Sequence, residues 1–123
     1  MYAVFIILSN VNELDDISKV FYENGCGATT IDSCGIGKVL LRNNIDIPIF
    51  AGIRNLVEGT KPYNKTIISV IKKENKMRTI VDKINKDFLA TPDSGVMFVM
   101  PVLECYGLRN DEYENILESK KIL

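Results

Sequence analysis

The sequence predicts an α+β fold in one compact domain. Apolar runs rich in β-branched residues, which are typical of strands, alternate with stretches whose apolar residues recur at helical spacing. The resulting order is strand, helix, strand, long insert, strand, helix, strand. A chain of 123 residues is also long enough to bury one core without disulfides or a structural metal.

The first half of the chain supplies two strands and a helix. Residues 2–8 form a continuous apolar run, as in a strand buried on both faces. Asn12 is a candidate helix cap, and the apolar residues behind it keep helical spacing until Gly25. Residues 28–34 are rich in β-branched side chains and predict a second strand, which ends at the glycines 35 and 37.

The second half repeats this pattern. A strand is expected at 66–71, a helix at 76–88 with Asn75 as its candidate cap, and a strand at 96–103. Pro101 cannot donate to a sheet ladder, so the last strand lies at an edge or leaves the sheet there. The order predicts a ferredoxin-like βαββαβ sandwich: a four-stranded antiparallel sheet with two helices on one face. Its other face stays bare and apolar, which predicts self-assembly.

Two segments lie outside this core. The long loop insert, 39–63, contains Pro48 followed by apolar residues on one helical face, so a short amphipathic helix is expected within 48–58. That apolar stripe either packs on its own assembly or binds a partner; its members are Ile49, Phe50, Ile53 and Leu56. Residues 110–123 resemble a capped C-terminal helix. The expected division is a domain at 1–109 and a helical extension at 110–123.

Composition excludes several classes of protein. With 15 Lys and Arg against 16 Asp and Glu, the formal net charge of -1 argues against binding to nucleic acid. The absence of histidine removes Ser-His-Asp and Cys-His catalysis and His-ligated zinc. A phosphate-transfer site built from Lys38 with Asp32 or Asp93 lacks paired carboxylates and an activated nucleophile, so we expect no enzyme.

The three cysteines and the N-terminus indicate the cellular compartment in which the protein works. Cys26, Cys34 and Cys105 are odd in number and form no CxxC pair, so free thiols in a reducing compartment are expected. The apolar start of the chain is too short to span a bilayer and lacks the features of a signal peptide. These features predict a cytoplasmic protein.

Two loops are candidates for binding a ligand. At the end of the second strand, Gly35 and Gly37 allow close approach of backbone N–H groups to an anion, and Lys38 adds a positive charge. The turn before the last strand carries Asp93 and Ser94, which could bind a ribose or a base edge. Each loop is also explained as an ordinary turn.

Taken together, these motifs resemble the nitrogen-regulatory PII superfamily over about residues 1–109. The likeness lies in a threonine-bearing strand that runs into a G-x-G-basic motif, here Gly35-Ile-Gly37-Lys38. It also lies in a Ser-Gly step before a Phe-Val strand, here Ser94-Gly95 and Phe98-Val99.

The resemblance implies a cytoplasmic homotrimeric signal-transduction protein with nucleotide sites in the clefts between subunits. The insert 39–63 would be the flexible T-loop that meets a partner, and the segment around 89–95 the B-loop. The ligand residues implied by position are Thr29, Gly35, Gly37 and Lys38 on the T-loop side, Ser94 and Gly95 on the B-loop side, and Arg109 as a phosphate-binding arginine. No cofactor is assigned; the candidate ligands are ATP, ADP, AMP or a cyclic dinucleotide. The candidate partners are a membrane transporter or a regulatory protein.

The chain also departs from the family pattern. The family's glycine-rich T-G-x-x-G-D-G-K loop is replaced by Leu89-Ala-Thr-Pro-Asp-Ser-Gly-Val96, and Gly107 stands where one of two arginines is usual. Each replacement removes a phosphate donor. Two alternatives therefore stay open: a ferredoxin-like interaction trimer without a small ligand, and a cyclic-di-AMP receptor, whose relatives share the Ala28-Thr29 step and the strand from Phe98 to Val102.

Overall fold

The computed structural model describes residues 1–36 and 63–108, which form one sheet with two α-helices. The elements are β1 (Tyr2–Leu8), α1 (Leu14–Glu23), β2 (Thr29–Cys34), β3 (Tyr63–Ile71), α2 (Glu74–Phe88) and β4 (Gly95–Pro101), with a 3-10 turn at Val11–Glu13 before α1. All three strand pairs are antiparallel. The predicted α+β class, with a four-stranded antiparallel sheet and two helices, is confirmed.

The strand order is β2-β3-β1-β4, so the first and third strands are central and β2 and β4 are the edges. Aligned residues form rows across the sheet. One row joins Thr29, Ile68, Phe5 and Phe98, and another joins Ile31, Thr66, Ile7 and Val96. β4 ends at Pro101 on an edge of the sheet, as the missing N–H of proline predicts.

Both helices pack on the same face of the sheet. Alternate residues of β1 point toward them, and Val4, Ile6 and Leu8 are fully buried. The remaining members of this core come from β3 and the apolar stripes of the two helices: Ile17, Val20, Phe21, Ile67, Ile71, Met77, Ile80 and Ile84. Each such side chain contributes roughly 1.5–3 kcal/mol by leaving water, so this face holds the domain together.

The opposite face of the sheet carries no charged residue. By the strand register, its residues are Ala3, Phe5, Ile7, Thr29, Ile31, Ser33, Asn64, Thr66, Ile68, Val70, Val96, Phe98 and Met100. We call this set the uncharged face. Phe5 and Phe98 stack on it with ring centroids 5.0 Å apart. Four of its large apolar side chains are exposed: Ile31 by 48%, Val96 by 60%, Phe98 by 41% and Met100 by 47%. Among the described residues, neither helix covers this face.

Element boundaries differ from the predictions by one to three residues. β2 begins at Thr29 and not at residue 28, and β4 spans Gly95–Pro101 and not 96–103. β3 begins at Tyr63, so residue 63 belongs to the strand and not to the insert. Asn10, and not Asn12, caps the first helical turn, because its side-chain oxygen accepts the N–H of Asn12 at 3.2 Å. α2 begins one residue before Asn75, whose side-chain oxygen accepts the N–H of Lys76 at 2.8 Å within the first turn.

Several expectations lie outside the described residues. They concern the helix within 48–58, its stripe of Ile49, Phe50, Ile53 and Leu56, the C-terminal helix at 110–123 and the domain boundary after residue 109. In the part of the chain that is described, no helix is both long and apolar enough to cross a membrane.

Candidate ligand-binding site

The predicted ligand residues of β2 lie at its two ends. Thr29 opens the strand and is exposed on the uncharged face, whereas Gly35 follows Cys34 at the far end and is half-buried. Six residues of extended chain separate them by roughly 20 Å. Gly37 and Lys38 lie outside the described residues. Thr29 and Gly35 therefore cannot contact the same small group within one subunit.

A hydroxyl cluster holds the Gly35 end of β2 against β3. The Ser33 hydroxyl contacts the side-chain oxygen of Asn64 and lies 2.8 Å from the Thr66 hydroxyl. A hydroxyl has a single proton, so Ser33 donates to Asn64 and accepts from Thr66. A Cβ at position 35 would lie 3.9 Å from the amide nitrogen of Asn64, which is ordinary contact. Packing alone therefore does not demand glycine at the exit of β2.

The turn before β4 closes over the end of β1. Ser94 is buried, its hydroxyl donates to the carbonyl of Thr91 at 2.6 Å, and its own carbonyl accepts the N–H of Ser9 at 2.9 Å. Asp93 adopts a positive φ of 64° in this turn. The Ser94 side chain is thus engaged inside its own loop.

At Gly95, the backbone of β4 closely approaches the backbone of β1. A Cβ at this position would lie 2.6 Å from the carbonyl oxygen of Ile7 and 3.3 Å from the Cα of Leu8. Real Cβ atoms essentially never approach a backbone atom so closely. Glycine at position 95 is therefore required by the pairing of β4 with β1, whatever else it does.

The two predicted halves of the site share one end of the sheet but lie on opposite edges. Gly95 pairs with Leu8, Leu8 with Lys65, and Lys65 with Asp32, close to the exit of β2. Three strand spacings of about 4.8 Å place the edges roughly 14 Å apart. One subunit therefore does not bring Gly35 and Ser94 together.

The structure reveals a cavity that the sequence did not indicate. It has a volume of about 430 Å³ and lies between the α1–β2 connection at 25–29, the last residues of β3 at 68–71 and the start of α2. Gly107 and Leu108 close its rim, immediately before Arg109, which is outside the described residues. Thr29 is the one predicted ligand residue that lines it. The volume falls in the range of small-molecule sites.

The cavity lies where β3 extends beyond the first residue of β2. Pairing between β2 and β3 begins at Thr29 and Ile68, so the last three residues of β3 have no β2 residue beside them. The buried Ser69 hydroxyl donates to the carbonyl of Gly27 at 2.7 Å and holds the connection at this distance. The connection and the strand thus form two walls with a gap between them.

Three lysines lie along the cavity. They are Lys72, Lys73 and Lys76, and none of the described residues that line the cavity is acidic. Helix α2 begins at this point without a side-chain cap, which adds the positive end of its dipole. The clue in the sequence was the run of lysines at 61–86, but a charge run does not reveal which of its members border a concave surface.

The cysteines form no disulfide and no metal site in the described structure. Cys26, Cys34 and Cys105 are each half-buried and unbridged. Within residues 1–36 and 63–108, no group of three Cys, Asp or Glu side chains could hold a metal ion.

Comparisons of the chain with protein-family models and with curated proteins return no match. The site is therefore defined by its own residues: the two ends of β2, the turn before β4 and the lysine-lined cavity.

Proposed function

We propose that this chain is a PII-like, ferredoxin-like protein that works as a homotrimer in signal transduction and is not an enzyme. It binds a small anionic ligand between subunits, with an adenine nucleotide as the first candidate, and regulates a partner through the loop 39–63. The βαββαβ element order and the antiparallel sheet with two helices on one face support the fold part of this proposal.

The observation that carries the proposal is the uncharged face. Exposed apolar patches of this kind are rare on monomers, and the cores of interfaces are depleted in charge. The exposed side chains of Ile31, Val96, Phe98 and Met100 spread over three of its rows and both edge strands. A second copy of the same chain is the partner that such a face fits without any further component.

Assembly would also solve the separation of the two predicted loops. Because β2 and β4 are opposite edges, packing of several sheets can place the β2 edge of one subunit beside the β4 edge of the next. Gly35, Gly37 and Lys38 of one subunit would then face Ser94 and Gly95 of its neighbour. A ligand in that cleft would contact the base of the loop 39–63 and bias its docked and free states by differential contacts.

A ligand-free interaction trimer is the second candidate, and two observations favour it. The Ser94 hydroxyl already donates within its own turn, and Gly95 is explained by the close approach of Ile7. Neither residue needs a ligand to account for it. In this version, the loop 39–63 binds its partner without a nucleotide signal.

Oligomeric state tests the assembly. We expect native mass spectrometry of the full chain to give a trimer, and Phe98→Glu or Val96→Lys to give monomers, because either change buries a charge in the uncharged face. Asn85→Glu on the exposed side of α2 is the matched control and should stay trimeric. A monomeric wild-type protein at micromolar concentration would contradict both candidate functions.

A ligand panel separates the two candidates. Specific binding to the folded state raises the melting temperature. We expect a rise with at least one of ATP, ADP, AMP and cyclic-di-AMP for the nucleotide-binding trimer. A flat response to all four, with the trimer intact, would select the ligand-free version.

A further inference from the structure

The uncharged face has a polar corner at the end of β2 that leads into the loop 39–63. The corner consists of Ser33, Asn64 and Thr66, whose side chains are linked through the Ser33 hydroxyl. Among the residues that define this face, the only other polar side chain is that of Thr29, which lies at the opposite end of β2. The polar corner therefore borders apolar side chains on the surface that the proposed trimer buries.

Hydrogen bonds inside the polar corner leave donors and acceptors unused. Ser33 donates to the side-chain oxygen of Asn64 and accepts from the Thr66 hydroxyl, 2.8 Å away. The side-chain amide of Asn64 still carries two N–H groups, and the Thr66 oxygen still has lone pairs. Among the described residues, neither group has a further partner. All three side chains are half-buried, so water reaches them in a single subunit.

A second copy of the chain offers the partners that this corner lacks. When the uncharged face is covered, water is excluded, and an N–H group without an acceptor becomes costly. An apolar partner would leave the Asn64 amide unpaired, whereas a second copy brings its own Thr66 oxygen as an acceptor. The polar corner is therefore complementary to itself. Apolar packing tolerates many relative positions of two sheets, and paired polar groups tolerate few.

We propose that the side-chain amide of Asn64 donates to the Thr66 hydroxyl oxygen of the neighbouring copy and thereby fixes how the copies meet. The proposal rests on the self-assembly in the proposed function and adds the pair of residues that selects one arrangement. Because Asn64 and Thr66 lie on β3, which is a central strand, this contact leaves the β2 and β4 edges available for each other.

Removal of the acceptor, followed by removal of the donor, tests the pair. Thr66→Val has nearly the same shape but leaves the Asn64 amide without an acceptor. The concentration at which the trimer half-dissociates should therefore rise by about tenfold or more. Thr66→Val/Asn64→Leu also removes the unpaired donors and should bring this concentration back toward the wild-type value. Sedimentation of the full chain over a dilution series measures both effects.

Two controls separate this effect from the stability of the subunit. Thr30→Val makes the same exchange at an exposed position on the opposite face of β2 and should leave the trimer unchanged. Ser33→Ala removes the hydrogen bond to Asn64 within the subunit and keeps the amide. It should lower the melting temperature while the trimer is retained.

Weakening of the trimer by Thr66→Val, with recovery in the double variant, supports the pair. An unchanged trimer in Thr66→Val would overturn the proposal and leave self-assembly in place. A double variant that recovers nothing would do the same, because the loss would then come from contacts within the subunit. A monomeric wild-type protein would overturn the proposed function and this proposal together.

The wild-type protein gives an independent readout of the donor. In the trimer, the side-chain N–H protons of Asn64 should exchange with solvent more slowly than those of Asn85, which is exposed on α2. NMR of the side-chain amides follows both residues in one sample. Equally fast exchange at the two residues would show that the Asn64 amide is open to water and would refute the proposal.

Discussion

At Gly95, the neighbouring backbone leaves no room for a side chain. Because a Cβ there would lie 2.6 Å from the carbonyl of Ile7, Gly95→Ala must push β4 away from β1. Overpacking of this kind costs roughly 1–3 kcal/mol. We expect urea denaturation to show a loss of unfolding free energy in that range.

Gly27→Ala is the control for this prediction, since nothing lies within 4 Å of a Cβ at position 27. Its unfolding free energy should stay within about 0.5 kcal/mol of wild type. Equal stability of the two alanine variants would show that the space between β4 and the Ile7 carbonyl accommodates a methyl group at position 95.

At the scale of elements, Ser69 links β3 to the connection that leads into β2. Its hydroxyl is buried and donates to the carbonyl of Gly27, so Ser69→Ala should lower the unfolding free energy by about 1 kcal/mol. The matched control is Ser18→Ala on exposed α1, whose hydroxyl bonds only to the Leu14 carbonyl of its own helix. That change should be neutral, because alanine favours helix. Similar losses in both variants would contradict a linking role for Ser69.

The strands and helices also show how much of the fold can be predicted from sequence patterns. The strands and helices were predicted because apolar spacing is set by burial on one face, as for Ile80 and Ile84 of α2. Helix starts were predicted less well. Asn10 and Asn12 are both good caps by residue type, and only the path of the chain after β1 selects Asn10.

The cavity could not be predicted from the same patterns. It lies where β3 extends beyond the start of β2, which pairs first at Thr29 opposite Ile68, and apolar spacing does not define strand ends to the residue. Lys72, Lys73 and Lys76 belong to a lysine-rich stretch of the sequence, and a sequence shows charge but not the curvature of the surface that carries it. Thr29 was singled out by resemblance alone, and the structure places it at the rim of this cavity.

For the whole molecule, assembly and stability should be coupled. If the uncharged face is buried between copies, the folded state gains stability as protein concentration rises. We expect the melting temperature of the wild-type protein to rise as the protein concentration is increased a hundredfold. Val96→Lys should melt at one temperature throughout the series. A wild-type melting temperature independent of concentration would argue against a face buried by self-assembly.

The central position of β1 has a consequence for how the chain reaches its fold. Ile6 lies between Ile67 and Met97, so both hydrogen-bonding partners of the first strand are made long after it leaves the ribosome. Contacts this distant in sequence slow folding, because loops must close before the contacts form. Until then α1 is the nearest element able to shield the apolar side chains of β1. Refolding is therefore expected to be limited by the arrival of β3 and β4, and the interval before that is when the nascent chain is most exposed to aggregation.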